Sequence, residues 1–515
     1  MSTASLASAG SYSVVITNQI GSTTSTAATV SVVYPNRWQR TAEPLAISSK
    51  KTPIIFSELH PHPSARLDGK NLEFIELYNT NPWPEDLTGW RISSDVTYAF
   101  PLGTSVPAQG FLVVAAVPAD VQAVYGITGV LGPWTGSLSN EGGTVRLRRA
   151  NDAIVLEAVW NDGPDWPAAA DGAGHSRVLT RPSYGEGDVR AWSASTLIGG
   201  SPGAAQTLPA SPQDHVLINE ILAHSTVGSD FIELFNSSPL SVDVSGCWLS
   251  DDVALLAKYQ IPGGTVLAPR GRVSFTQTQL GFALSAEGET IFFTNAAQTR
   301  VLDAVRFRGQ LPDTARGRTP DGEGAFRSLT SATPGATNSA AARGPVVINE
   351  LYFHPITGDS EDQWLELRNL SGSSVSLADW RISDGVSFTF PAGASIAANG
   401  YVVIAKNPAR VLANHPGLSS ALVFGPFSGT LSGGGEEVVL GQPVTIAGPL
   451  TYFAAVDEVA YAEKSRSSQW ADGGGSSLEA VKKCPRKALK VAKKRTSFVS
   501  FRAFRGPNRT SFTAS

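Results

Sequence analysis

Two glutamates and a histidine recur at matched places three times along this chain of 515 residues: Glu58, His62 and Glu76; Glu220, His224 and Glu233; Glu350, His354 and Glu366. The whole chain has seven histidines, so three in register call for a reason. Carboxylates with an imidazole could hold a divalent ion, and paired carboxylates could divide acid and base work. Each histidine follows the first glutamate by four residues, a spacing that puts both on one face of a strand. Phe56, Ile218 and Ile348, two residues before the first glutamates, share that face, so the carboxylates are expected to point towards apolar surroundings. A metal site needs three or four closely specified ligands, and no further ligand recurs with these. Pro63 and Pro355 follow two of the histidines, but Ser225 follows His224. The structural alternative is a strand-end glutamate that accepts backbone N–H groups and a histidine that shapes the exit turn. We expect that alternative: no catalytic, cofactor-binding or metal residues, with these nine side chains as the metal candidates.

Other chemistry has less to stand on. The chain lacks a Walker-type phosphate loop, a Gly-x-Ser-x-Gly elbow, a His-Glu-x-x-His pair and cysteines at zinc spacing. Its two cysteines, Cys247 and Cys484, sit in different segments, so no disulfide framework is expected. Acidic turns at Asn161–Asp165, Asp171–Gly174 and Asp472–Gly475 invite calcium, but none has EF-hand spacing, and turn chemistry explains them without an ion. Calcium is the one cofactor kept in view. Trp90, Trp248 and Trp380 recur as well and are expected to be core markers, since one large aromatic commonly centres a sandwich. Trp83, Trp134, Trp166 and Trp192 would form a binding platform if exposed and cover the sandwich ends if hidden.

The elements that must position these groups are strands. Hydrophobic residues make up 42% and charged residues 16%, and 50 glycines and 33 prolines punctuate short runs rich in Val, Ile, Thr and Phe, which predicts an all-β chain. One pattern repeats three times. A first strand reads Ile54–Leu59, Leu217–Ile221 and Val347–Leu351, and a second Phe74–Asn79, Phe231–Asn236 and Trp364–Asn369. The tryptophans follow, preceded by Leu87, Val244 and Leu377; then come Phe100-Pro101, Ile261-Pro262 and Phe390-Pro391, and strands opened by Gly110, Gly271 and Gly400. Units of this length exceed a solenoid repeat and suit separate β-sandwiches, like beads on a string. The Pro/Gly/Ala stretches from Ser201 and Thr333 read as short linkers.

In this order of motifs, with Leu87-Thr-Gly-Trp90-Arg-Ile-Ser and Leu377-Ala-Asp-Trp380-Arg-Ile-Ser as the best matches, each unit resembles the lamin tail domain, an immunoglobulin-like β-sandwich also found in secreted bacterial proteins. The resemblance implies domains at 53–205, 215–338 and 345–480. Residues 9–33 resemble the last two strands of an immunoglobulin-like domain, with Tyr12 at its tyrosine-corner position. Residues 1–34 are therefore expected to be the C-terminal remnant of such a domain, and 35–52 a linker. Copies 1 and 2 run on to Ser201-Pro-Gly and Thr333-Pro-Gly, and copy 3 does not.

Charge is uneven. Residues 481–515 carry 11 Lys or Arg and no acid, leaving 29 basic and 44 acidic residues before them. The acidic body argues against nucleic acid as a partner of the sandwiches. The basic tail is expected to be a misread or disordered terminus; if genuine, it would bind a polyanion. The chain has no apolar run long enough to span a membrane. The family resemblance implies a non-catalytic binding, adhesion or spacer protein, extracellular or at the cell surface, with a polysaccharide or protein partner and an export signal upstream of Met1. The alternative is an accessory arm of a larger secreted enzyme, either a hydrolase or a spore-coat-H-type kinase-like protein.

Overall fold

The computed structural model describes residues 42–48, 51–163, 166–206, 211–323, 326–433, 435–447, 450–462, 471 and 476–480, with the backbone of short strands at 10–12, 15–18, 21–24, 28–30 and 489–491. Most residues of the expected basic tail, and the side chain of Tyr12, lie outside the described residues.

Alternating apolar residues build the same two-sheet sandwich three times. In copy 1 one sheet runs Phe111–Ala115, Phe74–Asn79, Ile54–His60, Arg177–Leu179, Trp192–Ala194. The other runs Thr135–Gly136, Val96–Ala99, Arg91–Ser94, Gly142–Arg148, Ile154–Asn161. Copy 2 repeats this order from Val216 to Ser328 without the two-residue edge strand, and copy 3 from Val346 to Val491. Pairing within these sheets is antiparallel except at Tyr401–Ala405 against Val423–Phe424, a strand copy 3 adds at the sheet edge, and at the single parallel bridge Val114–Leu131 in copy 1. Facing strands interleave their apolar side chains: Phe56, Leu59, Ile75 and Leu77 meet Ile92, Val145 and Leu147 in copy 1. Ile218, Ile221, Ile232 and Leu234 meet Leu249, Ile291 and Phe293 in copy 2. Each such side chain, fully buried, contributes about 1.5–3 kcal/mol.

The asparagine that closes each second strand fastens the sandwich. Nδ2 of Asn79 donates to the carbonyls of Trp83, Val106 and Pro107 at 2.8, 3.2 and 3.1 Å. Asn236 does the same with Leu240, Leu267 and Ala268, and Asn369 with Ser373, Ile396 and Ala397. All three side chains are fully buried, so those carbonyls have no water to turn to. Asn236→Ala is expected to cost copy 2 about 2–4 kcal/mol, because several buried carbonyls lose their donor. Urea unfolding followed within copy 2 measures it, and a loss under 1 kcal/mol would contradict the fastening.

Two of the three tryptophans depart from expectation. Trp380 is buried, but Trp90 and Trp248 are half-buried. Moreover, Trp248 is not the equivalent of the other two. The N–H groups of Trp90 and Trp380 donate to Leu87 O and Leu377 O, and in copy 2 it is Cys247 N–H that donates to Val244 O. Cys247 occupies the aromatic position, and Trp248 falls where Arg91 and Arg381 stand, facing outwards. The core is centred instead on Leu87, Val244 and Leu377 with Ile92, Leu249 and Ile382, all at 0% exposure.

The copies touch one another rather than hanging as separate beads. Between copies 1 and 2, Val301 N–H donates to His175 Nε2 at 2.9 Å, and Ala168, Ala169 and Ala173 pack on Phe292, Val301 and Ala304. Between copies 2 and 3, Arg308 pairs with Glu437 at 2.7 Å and Asp384 at 2.9 Å, and Arg316 pairs with Glu458. Ala455 N–H also donates to Gly309 O at 3.0 Å. Residues 42–48, within the expected linker, lie along copy 1, where Glu43 N–H donates to Thr180 O at 2.8 Å.

Candidate functional site

The two glutamates of each copy stand directly opposite each other on neighbouring strands: Glu58 and Glu76, Glu220 and Glu233, Glu350 and Glu366. They do not face the apolar core. One extra residue bulges the first strand just before each first glutamate, at Ser57, Asn219 and Asn349. A bulge shifts the alternation by one. Phe56 and Leu59 therefore both enter the core, while Glu58 turns to the opposite face of the sheet beside Glu76. The bulged residue serves the pair. Ser57 Oγ donates to Glu76 Oε1 at 2.6 Å, Asn219 Nδ2 to Glu233 Oε1 at 3.2 Å, and Asn349 Nδ2 to Glu366 Oε1 at 2.8 Å.

On that face lies the segment that reads in sequence as the start of a linker. Ser201-Pro-Gly-Ala204 closes a turn through Ala204 N–H on Ser201 O at 3.0 Å, and Thr333-Pro-Gly-Ala336 does so at 2.9 Å. Proline second and glycine third, at φ +83° for Gly203 and +78° for Gly335, make a type II turn. Both glutamates grip it. In copy 1, Ser201 N–H donates to Glu58 Oε1 at 3.0 Å and Gly203 N–H to Glu76 Oε2 at 2.6 Å. In copy 2, Thr333 N–H donates to Glu220 Oε1 at 2.7 Å and Gly335 N–H to Glu233 Oε2 at 2.6 Å. Thr333 Oγ1 and Ser274 Oγ add bonds at 2.8 and 2.9 Å. Approach is close: a Cβ on Gly200 would stand 2.0 Å from Glu58 Oε1.

Under this cover the carboxyls are out of water. Burial pushes Glu58 and Glu220 up to about 7, against the donors that favour ionisation. Glu76 rises through burial and then through the neighbouring Glu58. In copy 3, burial and then Glu350 lift Glu366 to about 8.

The histidines do not join the glutamates. The strands end at His60, Leu222 and Tyr352, so His62, His224 and His354 lie in the loops beyond, and the i to i+4 argument does not apply to them. His62 Nδ1 meets Asp171 Oδ1 at 2.6 Å, and Asp171 also pairs with Arg306 of copy 2. His224 Nδ1 meets the Tyr452 hydroxyl of copy 3 at 2.5 Å. Two of the three thus sit at junctions between copies. Among the described residues, no group of three or more His, Cys, Asp or Glu is placed to hold a metal ion. Of the turns that invited calcium, Asp171 is engaged as above, while Pro164–Asp165 and Asp472–Gly475 lie outside the described residues. Trp134 and Trp192 are buried and Trp166 is half-buried, so only Trp83, at 57% exposure, fits a platform.

Gly335→Val tests the grip. A β-branched residue resists φ +78°, and a Cβ added there would meet no heavy atom within 4 Å beyond its chain neighbours, so crowding is not the cause. We expect about 1–3 kcal/mol of destabilisation in copy 2. A thermal transition unchanged within 0.3 kcal/mol (roughly the error of such comparisons) would show that the turn is not held.

No curated protein matches the chain. The Lamin Tail Domain family model matches at residues 47–162, 209–309 and 339–452. The paired strands that carry the glutamates fall inside all three matches, and the gripped turns follow the first two. With more than half of its length covered in three successive copies, the chain belongs to the lamin tail domain family.

Proposed function

We propose that the chain is a non-catalytic arm at the cell surface or in the secreted fraction, in which three lamin tail domains act as spacer and binding modules. What supports this reading is the state of the strongest candidate groups for chemistry. In copies 1 and 2 both glutamates of each pair are spent on backbone N–H groups of their own chain. The docking of successive copies through hydrogen bonds and ion pairs suits a stiff spacer. Saturable retention of the full chain on cell-envelope polysaccharide or surface protein fractions, with the fraction recovered chemically unchanged by mass spectrometry, is the expected result. Cleavage or modification of a bound fraction would overturn the non-catalytic reading, and no retention on any fraction would overturn binding.

A further inference from the structure

The two oxygens of Glu58 do different things. Oε1 takes the Ser201 N–H at 3.0 Å and the Ser176 hydroxyl, which holds the exit turn of copy 1. Oε2 lies 3.2 Å from Ser201 Oγ and 3.3 Å from Gln206 Nε2. Gln206 Nε2 also donates to Ser201 Oγ, so the hydroxyl lies beside the carbon of the side-chain amide. Ser201 Oγ has the Ala204 carbonyl at 3.2 Å as well. The amide oxygen is held too: Gln206 Oε1 accepts from Thr196 N–H and Thr196 Oγ1, both at 2.8 Å. A hydroxyl beside a carboxylate, a carbonyl oxygen with two donors, and a leaving nitrogen beside the same carboxylate are the parts of an acyl transfer. Burial lifts Glu58 to about 7, so near neutral pH it can both take a proton and return it. Copy 2 has the spacing without the arrangement. Asn338 follows Thr333 by five residues, as Gln206 follows Ser201. However, Thr333 Oγ1 donates to Glu220 at 2.8 Å, while Asn338 Nδ2 turns to Asn219 O and Arg318 O at 3.0 and 2.8 Å.

We propose that copy 1 cross-links itself by an ester between Ser201 Oγ and the side-chain carbonyl carbon of Gln206, with release of ammonia. Ser201 Oγ attacks Cδ of Gln206 while Glu58 Oε2 takes the hydroxyl proton. The carbonyl electron pair moves onto Oε1, where the two Thr196 donors meet the developing charge. As the carbonyl re-forms, the C–N bond breaks and Glu58 returns the proton to Nε2, which leaves as NH3. Nothing is oxidised or reduced, and the carboxylate ends as it began. The reaction runs once per chain, so it adds no turnover on other molecules. The glutamate pair stays a clasp: Glu76 takes no part, and Glu58 serves the cross-link only through the oxygen that the turn's N–H leaves aside. The ring closed across Ser201–Gln206 fixes the chain where it leaves copy 1 for copy 2.

Mass spectrometry of the full chain, held for several days near neutral pH, is the test. A single loss of ~17 Da, the mass of the ammonia released in such an acyl transfer, is expected. Tandem spectra should place it between Ser201 and Gln206, and hydroxylamine should open it to a hydroxamate at Gln206. Ser201→Ala should abolish the loss while keeping the backbone N–H that Glu58 holds, so the variant retains its turn. Thr196→Val, which removes one of the two donors on the amide oxygen, should slow the loss by about tenfold or more. A chain that keeps its full sequence mass would overturn the proposal. So would a loss that maps only to other residues, or one that persists in Ser201→Ala.

Discussion

Arg318→Met is expected to destabilise copy 2 by about 3–5 kcal/mol, the usual result of stranding one buried charge. The bulge at Asn219 explains why. Ile218 stays paired with Leu234 but lies beyond the two positions at which its strand pairs with Arg316–Arg318, and its backbone groups are answered there by a buried ion pair. Asp303 Oδ2 accepts Ile218 N–H at 2.9 Å, and Arg318 Nε donates to Ile218 O at 2.9 Å. The two partners lie 3.0 Å apart with side chains 0% and 4% exposed. Methionine keeps the volume but leaves the Asp303 carboxylate and a carbonyl without their cation. The double variant Asp303→Asn/Arg318→Met is expected to recover part of the loss, since an amide accepts the same N–H without a charge. Pulse proteolysis in urea, with fragments assigned to copy 2, gives the numbers. A loss below 1 kcal/mol for Arg318→Met would mean that the pair does not support the bulge.

Raising the pH is expected to weaken copy 3, and Glu366→Gln to remove most of that weakness. Glu366 titrates near 4.5 when unfolded and near 8 when folded. Below the first value it is protonated in both states, and its contribution to stability is fully present. Between the two the folded state keeps a proton that the unfolded state has released, so stability falls as pH rises, by up to about 1.4 kcal/mol per unit. Glutamine cannot ionise, and its Oε1 can still accept from Asn349. The variant should therefore be more stable than the parent by about 2–4 kcal/mol at pH 9 and nearly equal to it at pH 4. Glu58 and Glu220, lifted to about 7, weaken copies 1 and 2 in the same direction. His175 works the other way. Burial lowers it to about 4, so its contribution is lost as pH falls from 6.5 through that value. Together these groups place the stability maximum between about pH 4.5 and 6.5. Parallel pH profiles for the parent and Glu366→Gln would contradict this account.

The repeat, the strand order and the apolar faces were legible because period-two alternation and turn residues recur in register in all three copies. Two readings failed for the same reason, a count that slipped by one. The glutamates were expected to share a face with Phe56, Ile218 and Ile348. The telling mark was the next core residue, Leu59, Ile221 or Leu351, three positions on rather than two or four, which requires a bulge. Likewise Trp248 was matched to Trp90 by residue type, although Val244 precedes it by four and Leu87 precedes Trp90 by three. The Ser/Thr-Pro-Gly turns were visible as motifs, and their absence from copy 3 was too. Their link to the glutamates was not, because it joins residues 143 apart in copy 1 and 113 apart in copy 2. The junctions built on His62, His175, Arg308 and Tyr452 depend on how whole sandwiches meet, which no local pattern encodes.

That the paired glutamates are clasps for a turn, rather than ligands or acid–base partners, is tested most directly by amide hydrogen exchange at Gly203 and Gly335 in the full chain. The account predicts that both amides are protected to the level of the neighbouring sheet, and that Glu76→Ala and Glu233→Ala each release the matching turn while their sheets stay protected. Exchange of both glycines at the rate of a free peptide in the unaltered chain would contradict it.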